Sequence, residues 1–370
     1  MKFVAIRSNV REAVAAVQRA STENANLPIL RNVLISAEEN GIKFIATNLE
    51  VAITAHVSGK VIERGGVSVP LSLLGGLIGN LQSDRINFEK KGNCLEVKTD
   101  NYSASLQGSP AEEFPLTPKI NDTNRFIEIK GAFLKEAIQQ VTVASQFSDL
   151  RPELNSVFFS FAIDNIKLAA TDGFRLSEKT IPKSSFTAKF SEPFNMLVPL
   201  KTAYEISRIV GDADMVQIFR DENQVLATTG KNQIISRLSE GSFPDYSSII
   251  PNSFASEVTA NKEEFVNAVK LAGVFSQKNN ELKITLHPHK KAIELSSADQ
   301  SFGGNSYLLP AKIKGETSET SFNAKYLADA LKSLSGEDVF LGLQSEANPA
   351  LIKSFTDGSY FYILKPIMKV

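Results

Sequence analysis

The sequence predicts an α+β protein built as three tandem copies of one fold, and three observations carry that prediction. First, matching segments open successive thirds: KFVAIRSNVREAVAAVQRAST from Lys2, RFIEIKGAFLKEAIQQVTVAS from Arg125 and EVTANKEEFVNAVKLAGVFS from Glu257. Second, another helix behind a strand recurs later in each third, in VSVPLSLLGGLIGNL, NMLVPLKTAYEISRI and SFNAKYLADALKSL. The period is roughly 120 to 130 residues, far above that of a solenoid, so each unit is a whole domain. Third, the first two thirds close alike, in GSPAEEFPLTP and GSFPDYSSIIP. These Pro-rich exits set the expected domains at 1–121, 122–251 and 252–370.

Each opening segment reads as a short alternating strand followed by an amphipathic helix. Val10, Val14 and Val17 in the first, and Phe133, Ala137 and Val141 in the second, recur at helical spacing and predict buried faces. A strand running into a turn follows in each third: FIATNLEVAI, LAATDGFRLS and ELSSADQSFG. Asp172-Gly173 is a strong hairpin signal, because Gly accepts a positive φ and Asp tolerates it. The second helices of the first two thirds share Val-Pro-Leu, at Val69 and Val198, with Pro suited to a first helical turn. Gly75, Gly76 and Gly79 lie inside SLLGGLIGNL, where close packing against a neighbour is expected. Alternating runs such as NCLEVKTDNYSASL and QVLATTGKNQIISRL read as antiparallel meanders.

Composition narrows the function. The chain has 370 residues, 42% hydrophobic and 22% charged, as in ordinary globular proteins. It has no apolar run of membrane-span length and no signal-peptide pattern, and Cys94 is its single cysteine. A cytoplasmic protein without a membrane partner is expected. The net charge is −1, so any contact with nucleic acid must be local or weak. No P-loop, dinucleotide fingerprint or nucleophile elbow occurs. His287 and His289 flank a proline without further ligands at useful spacing, and His56 sits in an alternating strand. Glu112-Glu113 and Glu263-Glu264 read as solvated groups, the second pair in the first turn of a helix. No catalytic residue, metal or cofactor is expected.

Basic residues offer a weaker signal. Arg11 and Arg19, Lys201 and Arg208, Lys262 and Lys270, and Lys325 and Lys332 are spaced by seven or eight, placing each pair on roughly one helix face. A solvated outer face and a shared basic surface both remain open.

Beyond these patterns, LPILRNVLI at 27–35, ATDGFRLSEKTIP at 170–182, EGSFPDYSSIIP at 240–251, FNAKYLADAL at 322–331 and the ending KPIMKV carry a likeness over the whole chain. Together they resemble the β-subunit family of bacterial DNA polymerase III, the sliding clamps. The resemblance implies three DNA-clamp domains per chain, with sheets outside and two helices per domain inside, and a head-to-tail homodimer closed into a ring. Double-stranded DNA would pass through the ring, which tethers the polymerase and has no chemistry of its own. The lining would draw on the basic residues above together with Lys135. The resemblance also implies a pocket for short apolar motifs of the polymerase III catalytic subunit, the clamp loader, other polymerases and repair proteins. Matched by position, it comprises Arg151, Leu154, Thr171, Gly173, Phe174, Arg175, Leu176, Pro244, Ile249, Asn323, Tyr326, Pro366, Ile367 and Met368. Leu176, Ile249 and Pro366 would supply an apolar floor, and Arg151, Arg175 and Asn323 would orient the peptide. Without the resemblance, Leu154, Leu176 and Ile249 read first as core. The implied ring interface uses Leu106 at one end and Val274 with Phe275 at the other. Three departures from the family pattern stand out: Phe174 where His is frequent, Asn24 where an Arg can touch DNA, and a tail with an extra residue after Pro366. The alternative reading is a tandem-domain peptide-binding adaptor that does not encircle DNA.

Overall fold

A computed structural model of the chain describes residues 1–21, 27–147, 151–276 and 280–368. Each third runs strand, helix, five strands, helix, three strands, with one extra short strand, Ser109–Pro110, in the first. The expected triple repeat is therefore realised element by element. The helices are α1 (Arg7–Val17), α2 (Leu71–Asn80), α3 (Gly131–Thr142), α4 (Leu200–Ile209), α5 (Lys262–Ala272) and α6 (Ala324–Ser333). Helices this short are marginal alone, so their stability comes from the apolar face each one buries. In α5, Asn261 caps the N-terminus by accepting from the Glu264 amide at 3.0 Å, and Glu263 and Glu264 occupy the first turn.

Two sequence expectations need correction here. Phe133 is 43% exposed, and α3 instead buries Leu134, Ala137, Ile138 and Val141. The first-turn aromatic lies just off the face defined by the later residues. Of the three glycines in α2, only Gly75 makes a close approach: a Cβ there would meet Gln18 beside α1. Gly76 and Gly79 face open space.

The chain packs as two compact units. One comprises Met1–Ala132, Phe186–Phe190 and Arg208–Leu238. Its larger sheet has ten antiparallel strands and is continuous because Asn232–Arg237 pairs with Val51–Val57, Ile234 opposite Ile53. Its smaller, five-stranded sheet ends at the edge strand Ser103–Gln107. The other unit comprises Phe133–Ser185, Ser191–Ser207 and Ser239–Val370. Its nine-stranded sheet is continuous because Arg175–Pro182 pairs with Tyr360–Leu364, Leu176 opposite Ile363. Its four-stranded sheet has Gly303–Pro310 at one edge and Glu319–Asn323 at the other. Phe265, Leu282, Ile284, Leu295, Phe322, Leu327 and Leu331 belong to one core there. The Pro-rich exits mark where the repeat restarts, whereas backbone pairing runs across them and shares the middle third between both units.

Candidate functional site

The predicted hairpin forms between strands Asn165–Thr171 and Arg175–Pro182. Its tip is held by side chains. Thr171 Oγ1 donates to the Arg175 carbonyl at 2.6 Å and accepts from the Gly173 amide at 3.0 Å. Asp172 Oδ1 accepts from the Phe174 and Arg175 amides at 2.9 and 3.0 Å. Gly173 has φ of +89°, the conformation for which glycine is suited. Phe174 is left 65% exposed at the tip.

Arg175 turns inward. It is 9% exposed, with Nε 2.9 Å from Asp172 Oδ2 and Nη1 2.8 Å from Asp329 Oδ2 on α6. Its Cζ lies 4.0 Å from the centroid of the Tyr326 ring. Burial weighs against the charge, but Tyr362, Asp329 and Asp172 outweigh it and hold the guanidinium firmly protonated. Arg175 thus ties the hairpin to α6, with its guanidinium engaged by Asp172, Asp329 and the Tyr326 ring. Asn323 is likewise engaged: its Oδ1 caps α6 by accepting from the Lys325 and Tyr326 amides at 3.0 and 3.2 Å.

Beside this hairpin lies an apolar floor. Leu176, Ile363 and Leu351 stand opposite one another across three adjacent strands. With Phe340 they form one buried cluster, and Tyr246, Ile249, Phe254 and Phe361 pack against it half-buried. The loop carrying Tyr246 and Ile249 is fastened by the Tyr246 hydroxyl, which donates to Glu178 Oε2 at 2.5 Å. Burial first, and then that carboxylate, push the Tyr246 pKa well up.

The sequence expectation thus finds Leu176 and Ile249 in one cluster, but it missed Phe340, Leu351, Phe361 and Ile363. Strands such as DVFLGL bury nearly every residue, so no alternation singles out the floor. Leu154 is buried, Pro244 is exposed, and Arg151 is exposed and paired with Glu153 at 3.0 Å. The tail is anchored at two points: the Lys365 amide donates to the Phe174 carbonyl at 2.9 Å, and the Ile367 amide to the Ser321 carbonyl at 2.8 Å. Pro366 and Ile367 are half-buried and Met368 is exposed, while the last two residues of the tail lie outside the described residues.

Of the basic residues, Arg11, Arg19, Lys201, Arg208, Lys270, Lys325 and Lys332 are exposed, and Lys135 and Lys262 are half-buried. Two departures correct the helix-face reading. Arg19 lies in a 3-10 turn beyond α1, where the pitch changes, and Lys262 donates to the Leu334 carbonyl at 3.2 Å. Asn24 lies outside the described residues. For the interface expectation, Leu106 is 9% exposed on its edge strand, Val274 is 58% exposed and Phe275 is half-buried. His287 pairs with Glu294 at 3.0 Å, and no cluster of three metal-binding groups occurs among the described residues. No helix among them is long and apolar enough to cross a membrane.

Comparison with known proteins decides the family. Models of the N-terminal, central and C-terminal domains of the DNA polymerase III beta subunit match residues 1–118, 128–245 and 247–368. The chain belongs to the DNA polymerase III beta subunit family. It is 26% identical to the beta sliding clamp of Bacillus subtilis over 380 residues, covering 99% of each. It is 25% identical to that of Synechococcus elongatus over 374 residues, again covering 99% of each. The crystal structure of the Bacillus subtilis DNA polymerase sliding clamp superposes with a TM-score of 0.93 at 25% identity, covering 100% of both chains. That of the Pseudomonas aeruginosa beta subunit gives 0.93 at 23%, also covering 100% of both, and supports the fold.

Proposed function

We propose that the chain is the processivity factor of a replicative DNA polymerase: a cytoplasmic, non-enzymatic homodimeric ring of three clamp domains per chain. The ring encircles duplex DNA, slides along it and tethers the polymerase. The observation that carries the closed ring is a repeated strand pairing. The last strand of the middle third pairs with the strand after the hairpin turn of the first third, Asn232–Arg237 with Val51–Val57. The last strand of the final third does the same with the middle third, Tyr360–Leu364 with Arg175–Pro182. Continuing the rule, the corresponding strand of the first third, Ser103–Gln107, third after its second helix, needs the strand after the turn of a final third, Gly303–Pro310. Both are sheet edges in this chain. A second copy supplies each missing partner, and two such joints close a head-to-tail dimer. Leu106, Val274 and Phe275 lie on or beside those edges, and the expected domain limits near 121 and 252 fit the same scheme.

A ring holds DNA by topology, so a net charge of −1 is compatible with the task. Exposed cations on the helices keep the strand centred without many tight phosphate contacts. The apolar floor around Leu176 and Ile249, bordered by the hairpin and the tail, is the docking place for short apolar motifs of the polymerase, the clamp loader and repair proteins. The adaptor alternative lacks any account of the two matched edges. Size-exclusion with light scattering tests the joint: the native chain runs as a dimer and a Val274→Asp, Phe275→Asp variant as a monomer. A monomeric native chain at micromolar concentration would contradict the ring.

A further inference from the structure

The apolar floor lies on a sheet face that continues past Leu351 to a basic edge. Cross-strand partners share a face, and the register carries one row from Leu351 through Gly342 and Glu257 to Lys314. The next row runs from Lys353 through Phe340 and Thr259 to Lys312. Strand Lys312–Gly315 ends the nine-stranded sheet, and Lys312 and Lys314 are exposed there. Lys314 reaches Glu257 at 3.7 Å, while Lys353 Nζ lies 5.1 Å from the centroid of the Phe340 ring. The turn Pro288–Lys290 adds charge. The Ala311 amide donates to the Lys291 carbonyl at 2.9 Å, which holds exposed Lys290 and Lys291 at the same edge. Glu294, near Lys290, is engaged by Ser306 and His287. Glu257, Asp338 and Glu316 offset only part of this charge, so a basic corner stands on a chain of net charge −1.

Lysines on an edge strand repel a second such edge, and the same charges attract an acidic strand. We propose that Lys312 and Lys314, with Lys353 on the way, receive an acidic segment beside the apolar motif in the tails of partner proteins. The inference rests on the reading that such motifs dock on the floor, and it adds a feature that selects among them. Three strand spacings, about 14 Å, separate Leu351 from Lys314, the reach of about four or five extended residues. A tail anchored by its apolar motif therefore delivers its carboxylates to the edge without a second encounter. Continuity with the floor favours a peptide over a nucleic acid, which has no aliphatic side chains to leave on Leu176 and Leu351. The lysines are solvated, so their charge acts on association and choice of partner more than on the strength of the apolar contact.

Fluorescence anisotropy of a labelled peptide of the Gln-Leu-x-Leu-Phe type tests this with the native chain. The motif is used alone, with a Gly/Ser spacer and an Asp run after it, with the same extension before it, and with Ser replacing each Asp. One extended segment reaches the edge in one direction only. One acidic arrangement is therefore expected to bind about tenfold tighter than its Ser counterpart at low salt, and less than about twofold tighter at about 1 M salt. Lys312→Gln and Lys314→Gln together remove that gain and leave binding of the motif alone unchanged. Equal affinity of the Asp and Ser peptides, equal gain from both arrangements, or a gain that survives in the double variant overturns the proposal. An oligothymidylate that binds more tightly than the acidic peptide, and loses that binding in the double variant, assigns the edge to nucleic acid instead. If the motif alone does not bind, the docking reading fails and this inference with it. A motif that binds without an acidic gain defeats this inference alone.

Discussion

Two turns in this molecule have the same geometry and different uses. In the first third, Thr47 Oγ1 donates to the Val51 carbonyl and accepts from the Leu49 amide, both at 3.0 Å. Asn48 Oδ1 accepts from the Glu50 and Val51 amides at 3.0 and 2.8 Å. The middle third repeats every one of these bonds, with Thr171, Asp172, Gly173, Phe174 and Arg175 at matching positions. Two of the differences between them set their uses apart. Asp172 has a second oxygen where Asn48 has an amide nitrogen, and Arg175 stands where Val51 does. That oxygen pairs with that guanidinium, which also pairs with Asp329 of α6. A turn that merely reverses the chain in one copy therefore becomes, in the next, a clasp that ties its hairpin to α6.

The sharpest way to break the comparison is Arg175→Ala. It strands the buried Asp172 carboxylate, and loss of one partner of a buried pair costs about 3–5 kcal/mol. Hydrogen exchange on strand Asn165–Thr171 should accelerate accordingly; an effect below about 1 kcal/mol would mean the clasp is ornamental. Next comes Leu176→Ala, expected to cost about 2–5 kcal/mol because the side chain is 1% exposed. Isothermal titration should also show lost affinity for an apolar peptide of the Gln-Leu-x-Leu-Phe type, and unchanged affinity would move the site elsewhere. Tyr246→Phe removes the donor to buried Glu178 and should cost about 1–3 kcal/mol, weakening peptide binding through the loosened loop. The smallest pair tests the shared turn itself. Leu49 carries φ of +77° without being glycine. Leu49→Gly should stabilise its turn by about 1 kcal/mol and Gly173→Leu should destabilise the other by a similar amount, both read from thermal melting.

The repeat, the hairpin and the helix starts were legible because each is a local pattern. Asp172-Gly173 needs only its own backbone to be recognised, and Leu176 and Ile249 were reachable through the family likeness. The direction of Arg175 was not, since it depends on Asp329, 154 positions away. Phe340, Leu351 and Ile363 escaped for another reason. Their strands are covered on both faces, so the two-residue period that marks a floor disappears. Arg19 misled because a change of helical pitch leaves no mark in charge spacing.

The central claim is encirclement, and retention on DNA tests it most directly. Protein loaded onto nicked circular DNA is passed over a sizing column before and after the circle is linearised. The account predicts co-elution with the circle and release from the linear form, as the ring slides off the free ends. Equal retention on both forms, or on neither, would contradict it.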